Sequence, residues 1–328
     1  MPTTLPNPRT TPRFAGITTF CRYPRIEDVP AGHPIDWALY GVPFDSGVTY
    51  RPGARFAPRA IREASQYVKQ FHLEHGVDVC DKLSLCDAGD APISPYHLKE
   101  TLDGVAAWAA ALGVHGANAR LGEASHPKLL AVGGDHSIAY ANIKATWERR
   151  GKPKGGLALI HFDSHLDTVD TVWNEKWGHA SPFIRCIEEG LIDPKAMISV
   201  GIKGPLNTAD DLAFAQKHGV RIVTRDAAAK DPTWKFLTDF VKGLGTREAY
   251  LTFDIDVVDP AFAPGTGTPS AGGFTSHEAL SMLRALRGVR LAGADVVEVL
   301  PDRDPAGITA FLAAHFMFEV LALDACVR

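Results

Sequence analysis

Residues 155–167, GGLALIHFDSHLD, contain a run of apolar residues that is followed directly by acids and histidines. The apolar part, residues 156–162, predicts a buried strand. Because such a strand carries apolar side chains on both faces, it is typical of a parallel sheet that is covered by helices on each side. The polar residues then follow the carboxyl end of the strand, where open α/β sheets form their ligand crevices. This stretch therefore predicts both the fold and the place of its site.

The same alternation of apolar runs and helical patterns continues along the chain. Strands separated by helices predict a domain of the α/β class, with three αβα layers, a mostly parallel sheet and right-handed crossovers. Further strands are predicted at residues 37–42, 128–132, 196–200, 220–224, 249–253 and 291–297, and helices at residues 57–69, 137–149, 209–217, 234–243, 276–287 and 305–323.

Composition limits the classes of function. The chain has 328 residues, 45% of them hydrophobic, which is enough for a large core, and its net charge of -4 disfavours a nucleic-acid partner. No run of 18 uncharged apolar residues occurs in it, so we expect no membrane span. Five cysteines without a CxxC pair predict reduced thiols and a cytoplasmic location.

The first 30 residues differ from the rest of the chain. They contain several prolines and no apolar segment of the kind found in secretory signals. We predict that residues 1–30 form an N-terminal arm that is disordered or lies on a partner, and that residues 31–328 form a single catalytic domain.

Four polar segments follow predicted strands. They are GGDHS at 133–137, HFDSHLD at 161–167, FDIDVVDP at 253–260 and DVVE at 295–298. Four aspartates buried close together need cations, because an uncompensated buried carboxylate is costly. Two divalent ions would balance them, with histidines as neutral ligands. Carboxylates and imidazoles without thiolates favour Mn²⁺, with Ni²⁺, Co²⁺ and Fe²⁺ as alternatives.

The spacing of these residues also suggests how they converge. Side chains alternate along a strand, so Asp163, His165 and Asp167 are expected to start on one face, and likewise Asp254 and Asp256. Each motif alone has an ordinary structural explanation, such as a strand-end cap or a glycine turn. Three such motifs at successive strand ends favour a binuclear metal site.

The motifs GGDHS, FDSHLD and FDIDVVDPAFAPGTGTP, in this order and spacing, resemble those of the ureohydrolase family of arginases and agmatinases. The resemblance runs from about residue 13 to 323 and includes GVPFD at 41–45 and RPGARFAPRAIR at 51–62. It implies hydrolysis of a guanidino group to urea and an amine, and a homo-oligomer, either a trimer or a hexamer. The metal ligands that it implies are His136, Asp163, His165, Asp167, Asp254 and Asp256.

The resemblance also implies a mechanism. A hydroxide that bridges two metal ions would attack the guanidinium carbon. Glu298, otherwise a plain strand-end carboxylate, is expected to hold the guanidinium by paired charge-assisted hydrogen bonds. His179 matches a proton-shuttling histidine and would protonate the departing amine. Asp135 and Asp259 are expected to brace the ligands, and Thr268 to line the substrate loop.

Residues 168–178, TVDTVWNEKWG, bear on the substrate. They lack the Ser-Gly-Asn with which arginases hold a carboxylate, so arginine is disfavoured. The loop looks more like agmatinases and relatives that act on guanidinobutyrate, guanidinopropionate or free or substituted guanidine. Asn174 and Ala180 depart from the usual agmatinase pattern and leave the substrate open. Trp173 and Trp177 are expected either to narrow the pocket and stack on a cation, or to pack the loop onto the core.

Three other classes of protein use similar residues. A two-metal phosphoesterase would need Arg, Lys or Asn beside the metals, where this chain has acids. A deacetylase would use one zinc ion and fewer carboxylates. A non-catalytic subunit of a hetero-oligomeric ureohydrolase would be expected to lack ligands, and all six are present.

Overall fold

A computed structural model describes residues 3–30, 32–112 and 127–327 of the chain. The strands in this part are β1 Trp37–Gly41, β2 Phe71–His72, β3 Val77–Asp78, β4 Leu85–Asp90, β5 Lys128–Val132, β6 Leu157–Phe162, β7 Ile192–Ile202, β8 Arg221–Thr224, β9 Ala249–Asp254 and β10 Leu291–Val297. Eight of them form one sheet in the order β4-β1-β5-β10-β9-β6-β7-β8, and β2 and β3 form a separate antiparallel hairpin. The neighbouring strands of the large sheet pair in parallel.

Helices cover both faces of this sheet. They are α1 Ala57–Ala64, α2 Val79–Lys82, α3 Leu98–Ala111, α4 Ile138–Arg149, α5 Pro182–Glu188, α6 Ala213–His218, α7 Arg225–Ala229, α8 Lys235–Leu244, α9 Ser276–Arg284 and α10 Ile308–Ala325. Strand β1 shows the layering, because Trp37 and Leu39 pack in one core cluster with α1, α9 and α10. Ala38 and Tyr40 pack in the other with α3 and α4. The predicted three-layer α/β fold is confirmed.

The strand order decides where the polar motifs meet. Strands β5, β10, β9 and β6 are consecutive neighbours in the middle of the sheet. Each is followed by one of the four polar segments. Because parallel strands end at the same edge, the four segments lie side by side over the centre of the sheet.

Several predicted elements have different bounds in the structure. The helix predicted at 57–69 ends at Ala64 and continues as the 3₁₀ turn Ser65–Tyr67. The helix predicted at 209–217 is divided into the 3₁₀ turn Ala209–Leu212 and α6. The edge strand β4 was not predicted, since its sequence LCDAGD contains Asp and Gly, which are depleted in strands.

Part of the N-terminal segment packs against the domain. Phe20, Cys21 and Tyr23 are buried in the hydrophobic core. The Thr3 hydroxyl donates a hydrogen bond to the Leu83 carbonyl at 2.8 Å. Residues 20–23 are therefore ordered core rather than a disordered arm. Contact of this segment with another subunit stays a prediction.

Among the described residues, one helix is long and apolar enough to cross a membrane, Pro305–Ala325, which includes α10. Of its most apolar window, 67% is buried inside the protein. It packs against α1 and α9. This burial accounts for its apolar sequence, as in the central helix of a folded core.

Candidate metal centre and active site

A glycine turn brings the first predicted metal-ligating histidine to the sheet. Gly134 follows β5 with a φ of +79°, which favours glycine. A Cβ atom there would lie 2.7 Å from the Val42 carbonyl oxygen and 2.8 Å from that of Phe44. Only glycine allows the chain to pass this close to the loop after β1, and the turn directs His136 over the ends of β9 and β6.

His136 lies among three carboxylates. Its Nδ1 atom is 3.1 Å from Asp163 Oδ2, 2.9 Å from Asp167 Oδ2 and 3.2 Å from Asp254 Oδ2. In the described part of the chain, however, this nitrogen forms no hydrogen bond of proper geometry. A buried imidazole nitrogen that faces three carboxylate oxygens without a hydrogen bond is placed as a metal ligand would be.

The other ring nitrogen of His136 explains why Nδ1 is free. Nε2 lies 2.9 Å from Thr252 Oγ1, and the Thr252 hydroxyl donates to Asp295 Oδ1 at 2.5 Å. Since that hydroxyl proton is directed to Asp295, Thr252 accepts the Nε2 proton of His136. In its neutral form, the ring would therefore present the lone pair of Nδ1 to the carboxylates, as a metal-binding histidine does.

A second group of ligands surrounds His165. Its Nδ1 atom is 3.3 Å from Asp163 Oδ1 and 3.1 Å from Asp256 Oδ2. Asp163 therefore contributes one oxygen to each group. The His165 side chain is 42% exposed, whereas the carboxylates are buried. Two adjoining groups that share Asp163 fit two ions side by side.

Turns, and not strand alternation, bring these acids together. Strand β6 ends at Phe162, before the first ligand of its segment. Asp256 lies in the 3₁₀ turn Ile255–Val257, and its N–H donates to the side chain of Asp254, which caps the turn. Asp167 has a φ of 51°, in the left-handed region. The prediction that these side chains alternate along one strand face was wrong. The left-handed backbone at Asp167 is strained, and this strain accompanies the placement of its side chain beside the other carboxylates.

The electrostatics show that the cluster lacks a counter-charge. Burial, together with the charges of Asp256 and Asp163, raises the pKa of Asp254 well above its ordinary value. Burial also opposes ionisation of Asp163, but the histidines around it, His136, His161 and His165, hold its pKa well below the usual range. Without a cation, the carboxylates of this cluster cannot all be ionised together. Ionisation of Asp163 is favoured, and that of Asp254 is opposed.

No Lys or Arg side chain of the described residues supplies a fixed positive charge to this cluster. None of these Lys or Arg side chains forms an ion pair with any of five buried aspartates in and beside the cluster, Asp163, Asp167, Asp254, Asp256 and Asp295. Lys203 is near, but its Nζ donates to the backbone oxygen of Asp256 at 2.9 Å. Divalent metal ions would supply the missing positive charge.

Glu298 lies beside this cluster. Its φ of 65° is unusual for a residue other than glycine. Oε1 accepts hydrogen bonds from the His136 backbone N–H and from His179 Nδ1, both at 2.9 Å. Oε2 is buried and has no partner among the described residues. Glu298 thus has one buried oxygen that is available to a ligand, and its predicted paired hydrogen bonds to a guanidinium stay a prediction.

The two ring nitrogens of His179 have different surroundings. Burial opposes its charged form, but the charge and hydrogen bond of Glu298 at Nδ1 raise the pKa of His179 to about 9. At Nε2 the backbone N–H of Thr49 donates at 3.0 Å, which opposes a proton on that nitrogen. The Thr49 hydroxyl is 2.7 Å from the same atom. The ring is therefore held between Glu298 and Thr49.

The remaining predicted residues have distinct contacts. The Thr268 hydroxyl donates to Asp256 Oδ2 at 3.1 Å, so it contacts a predicted ligand. Asp135 accepts from the Gly47 N–H at 2.8 Å and supports the loop next to His179. Asp259 accepts from backbone N–H groups of its own loop, at Gly272 and elsewhere, and braces that loop rather than a ligand.

A cavity of about 470 Å³ opens onto these residues. Trp173, which is 78% exposed, lines it together with His165, His179 and Thr268. Trp177 instead packs edge-on against Tyr140, with ring centroids 4.8 Å apart. Of the two tryptophans, Trp173 narrows the pocket, and Trp177 packs the loop at 168–178 against the core.

The model of the arginase family matches residues 35–323. The chain belongs to the arginase family. It is thus a metal-dependent hydrolase that acts on guanidino C–N bonds. Guanidinopropionase of Pseudomonas aeruginosa is 39% identical over 313 residues, which cover 95% of this chain and 93% of that protein.

Solved structures agree with this assignment. Proclavaminate amidinohydrolase of Streptomyces clavuligerus superposes with a TM-score of 0.87 at 36% identity, covering 97% of this chain and all of that one. A hypothetical agmatinase of Burkholderia thailandensis gives a TM-score of 0.82 at 37% identity, with coverage of 95% and 92%. This arginase-family chain therefore resembles its relatives over nearly its whole length.

Sequence reasoning missed several residues of this arginase-family site. His161 Nε2 lies 2.9 Å from Asp163 Oδ2, and its Nδ1 lies 3.1 Å from Ser199 Oγ. The place of His161 at the start of HFDSHLD could have signalled this contact. Thr252 and Thr49 carry no comparable signal, because their roles depend on residues far away in the sequence.

Proposed function

We propose that this protein hydrolyses a guanidino compound to urea and an amine, as agmatinases do, with two divalent metal ions per chain. One observation carries the proposal. Asp163 gives one oxygen to the His136 group and the other to the His165 group, so two ions would share a carboxylate. Oxygen-rich ligands with two imidazoles favour Mn²⁺, and Ni²⁺ is the alternative.

The ions, when bound, supply a water molecule whose pKa is lowered towards neutrality, which makes it a nucleophile. The chain orients the substrate. Glu298 Oε2, buried and unpartnered, can accept a charge-assisted hydrogen bond from the guanidinium. Oε1 accepts hydrogen bonds from His136 and His179, and these bonds fix the orientation of the carboxylate.

The departing amine needs a proton, and we assign its delivery to His179 and Thr49. Both residues line the cavity. The Thr49 hydroxyl contacts His179 Nε2 and can therefore link the ring to a group in the cavity. Glu298, on the other side of the ring, stabilises its protonated form.

Agmatine is the substrate that we favour, and Thr268 and Trp173 would line its site. The second candidate is a guanidino acid, because a relative at 39% identity is named guanidinopropionase. Free or substituted guanidine is a third candidate, since the loop at 168–178 departs from the agmatinase pattern. A non-catalytic subunit is disfavoured, because all six ligands converge.

We further propose a homo-oligomer that is located in the cytoplasm and has no nucleic-acid or membrane partner. The net charge of -4 supports the absence of nucleic acid. The five free cysteines support a reducing compartment.

Urea release from metal-stripped protein, reloaded with Mn²⁺ or Ni²⁺, tests the function. The panel is agmatine, guanidinobutyrate, guanidinopropionate and guanidine. We expect urea from at least one of them at two ions per chain, and none from stripped protein. Protein that holds two ions per chain and releases no urea from any guanidino compound would contradict the proposal.

A further inference from the structure

One acidic residue of the cavity belongs to no metal-ligand group. Asp211 lines the same cavity as Asp167, Asp254 and His179, but it comes from the segment between β7 and α6. Leu206 and Asn207 of that segment line the cavity as well. Asp211 is thus placed to contact a part of the substrate, and it is not one of the six predicted ligands.

The backbone holds the Asp211 carboxylate in position. Its Oδ2 accepts from the Asn207 N–H at 2.9 Å and from the Thr208 N–H at 3.3 Å. With Thr208 it forms a capping box at the start of the 3₁₀ turn Ala209–Leu212. Both bonds end on Oδ2, and neither uses Oδ1. Because the side chain is already ordered, a ligand that binds Oδ1 loses little further entropy.

The charge of the cavity is uneven. Its described lining includes Asp167, Asp254 and Asp211, and it includes no Lys or Arg. Divalent ions would balance the ligands Asp167 and Asp254, whereas Asp211 would keep its negative charge. The rest of the wall is largely apolar, with Leu166, Val169, Val172, Trp173 and Leu206. Such a wall accepts methylene groups and gives a carboxylate at the end of the tail no Lys or Arg partner.

We propose that Asp211 determines specificity by selecting guanidino compounds whose tail ends in a cation. The carboxylate attracts an ammonium group at the end of an alkyl tail and repels a carboxylate there. This inference rests on the proposed function and adds the residue that chooses between its first two substrate candidates.

Three substrates of similar length test the tail alone. Agmatine ends in an ammonium group, 4-guanidinobutyrate in a carboxylate and butylguanidine in a methyl group. For wild-type protein loaded with Mn²⁺, we expect kcat/KM to be highest for agmatine, intermediate for butylguanidine and lowest for guanidinobutyrate. The reacting guanidino group is the same in all three, so the differences report the tail.

Two variants of Asp211 should change this order. Asp211→Asn keeps an oxygen for the capping bonds and removes the charge. We expect it to lower kcat/KM for agmatine by about tenfold. The effect should appear mainly in KM, because a contact with the tail stabilises the bound substrate and the transition state equally. Butylguanidine should be unaffected. Asp211→Lys should reverse the order of agmatine and guanidinobutyrate.

Asp210→Asn is the matched control. Asp210 is an exposed neighbour that does not line the cavity, and the change alters the net charge equally. The preference should stay at the wild-type value. An agmatine to guanidinobutyrate ratio that Asp211→Asn leaves unchanged would overturn this inference alone, and so would a wild-type preference for guanidinobutyrate. Absence of urea from every guanidino compound would overturn the proposed function and the inference together.

Discussion

In the described part of the chain, two buried clusters of histidines and carboxylates differ in one respect. The first is the candidate metal centre over β5, β10, β9 and β6. The second joins His72 of the β2–β3 hairpin to Glu319 of α10, and His75 lies beside it. By residue type alone, either cluster could hold a metal ion.

The second cluster contains its own cation. Arg284 donates from Nε and Nη2 to Glu319 Oε1, at 2.8 and 2.6 Å. His72 Nε2 lies 2.9 Å from the other oxygen, Oε2. Both oxygens of Glu319 are therefore occupied, whereas the four aspartate ligands of the metal centre have no Lys or Arg partner among the described residues. The fixed cation makes the second cluster a structural ion pair, whereas the lack of one in the first favours a bound metal ion.

The largest effect is expected at the shared ligand of the metal centre. Asp163→Asn removes a charge that both ligand groups use, so we expect loss of bound metal and at least about a hundredfold loss of urea release. Metal analysis and steady-state assays measure the two effects. Normal metal content with a normal rate would show that Asp163 does not join the two groups.

The second cluster should respond in stability and not in metal content. Glu319→Gln leaves Arg284 without its carboxylate. Because Arg284 is partly exposed, we expect a loss of about 2 kcal/mol in the free energy of unfolding, somewhat less than for a fully buried pair. Denaturant unfolding measures it, and metal analysis of the same variant is the control. Loss of metal in Glu319→Gln would contradict the assignment of this cluster to a structural role alone.

A smaller effect is expected from pH. Burial opposes ionisation of Glu319, but His72 and Arg284 lower its pKa below the ordinary value of 4.5. A depressed carboxyl pKa stabilises the fold at pH values above 4.5, and this contribution is lost as the pH falls through the lower, folded-state pKa. Wild-type protein should therefore lose more stability on acidification than Glu319→Gln. Parallel pH profiles of the two proteins would contradict this.

Local sequence patterns predicted the fold class and the location of the site. The apolar run at 156–162 and the polar residues after it indicated a parallel sheet with its site at the strand ends, because burial and backbone geometry act over a few residues. The six predicted ligands lie in the motifs that follow these strands, and the full set was implied by the resemblance to the ureohydrolase family. The glycine turn at Gly134 also follows from its neighbours in sequence, since it must connect β5 to His136.

By itself, the sequence determined the α/β class and the residue types of the site, because apolar periodicity and strand-end acids are local properties. The tertiary structure alone decided that β5, β10, β9 and β6 are neighbours, that Asp163 is shared and that Glu298 has one free oxygen. It also placed Asp211 in the cavity and paired His72 with Glu319, 247 residues away. These features depend on contacts between distant segments, which form only when the whole chain packs.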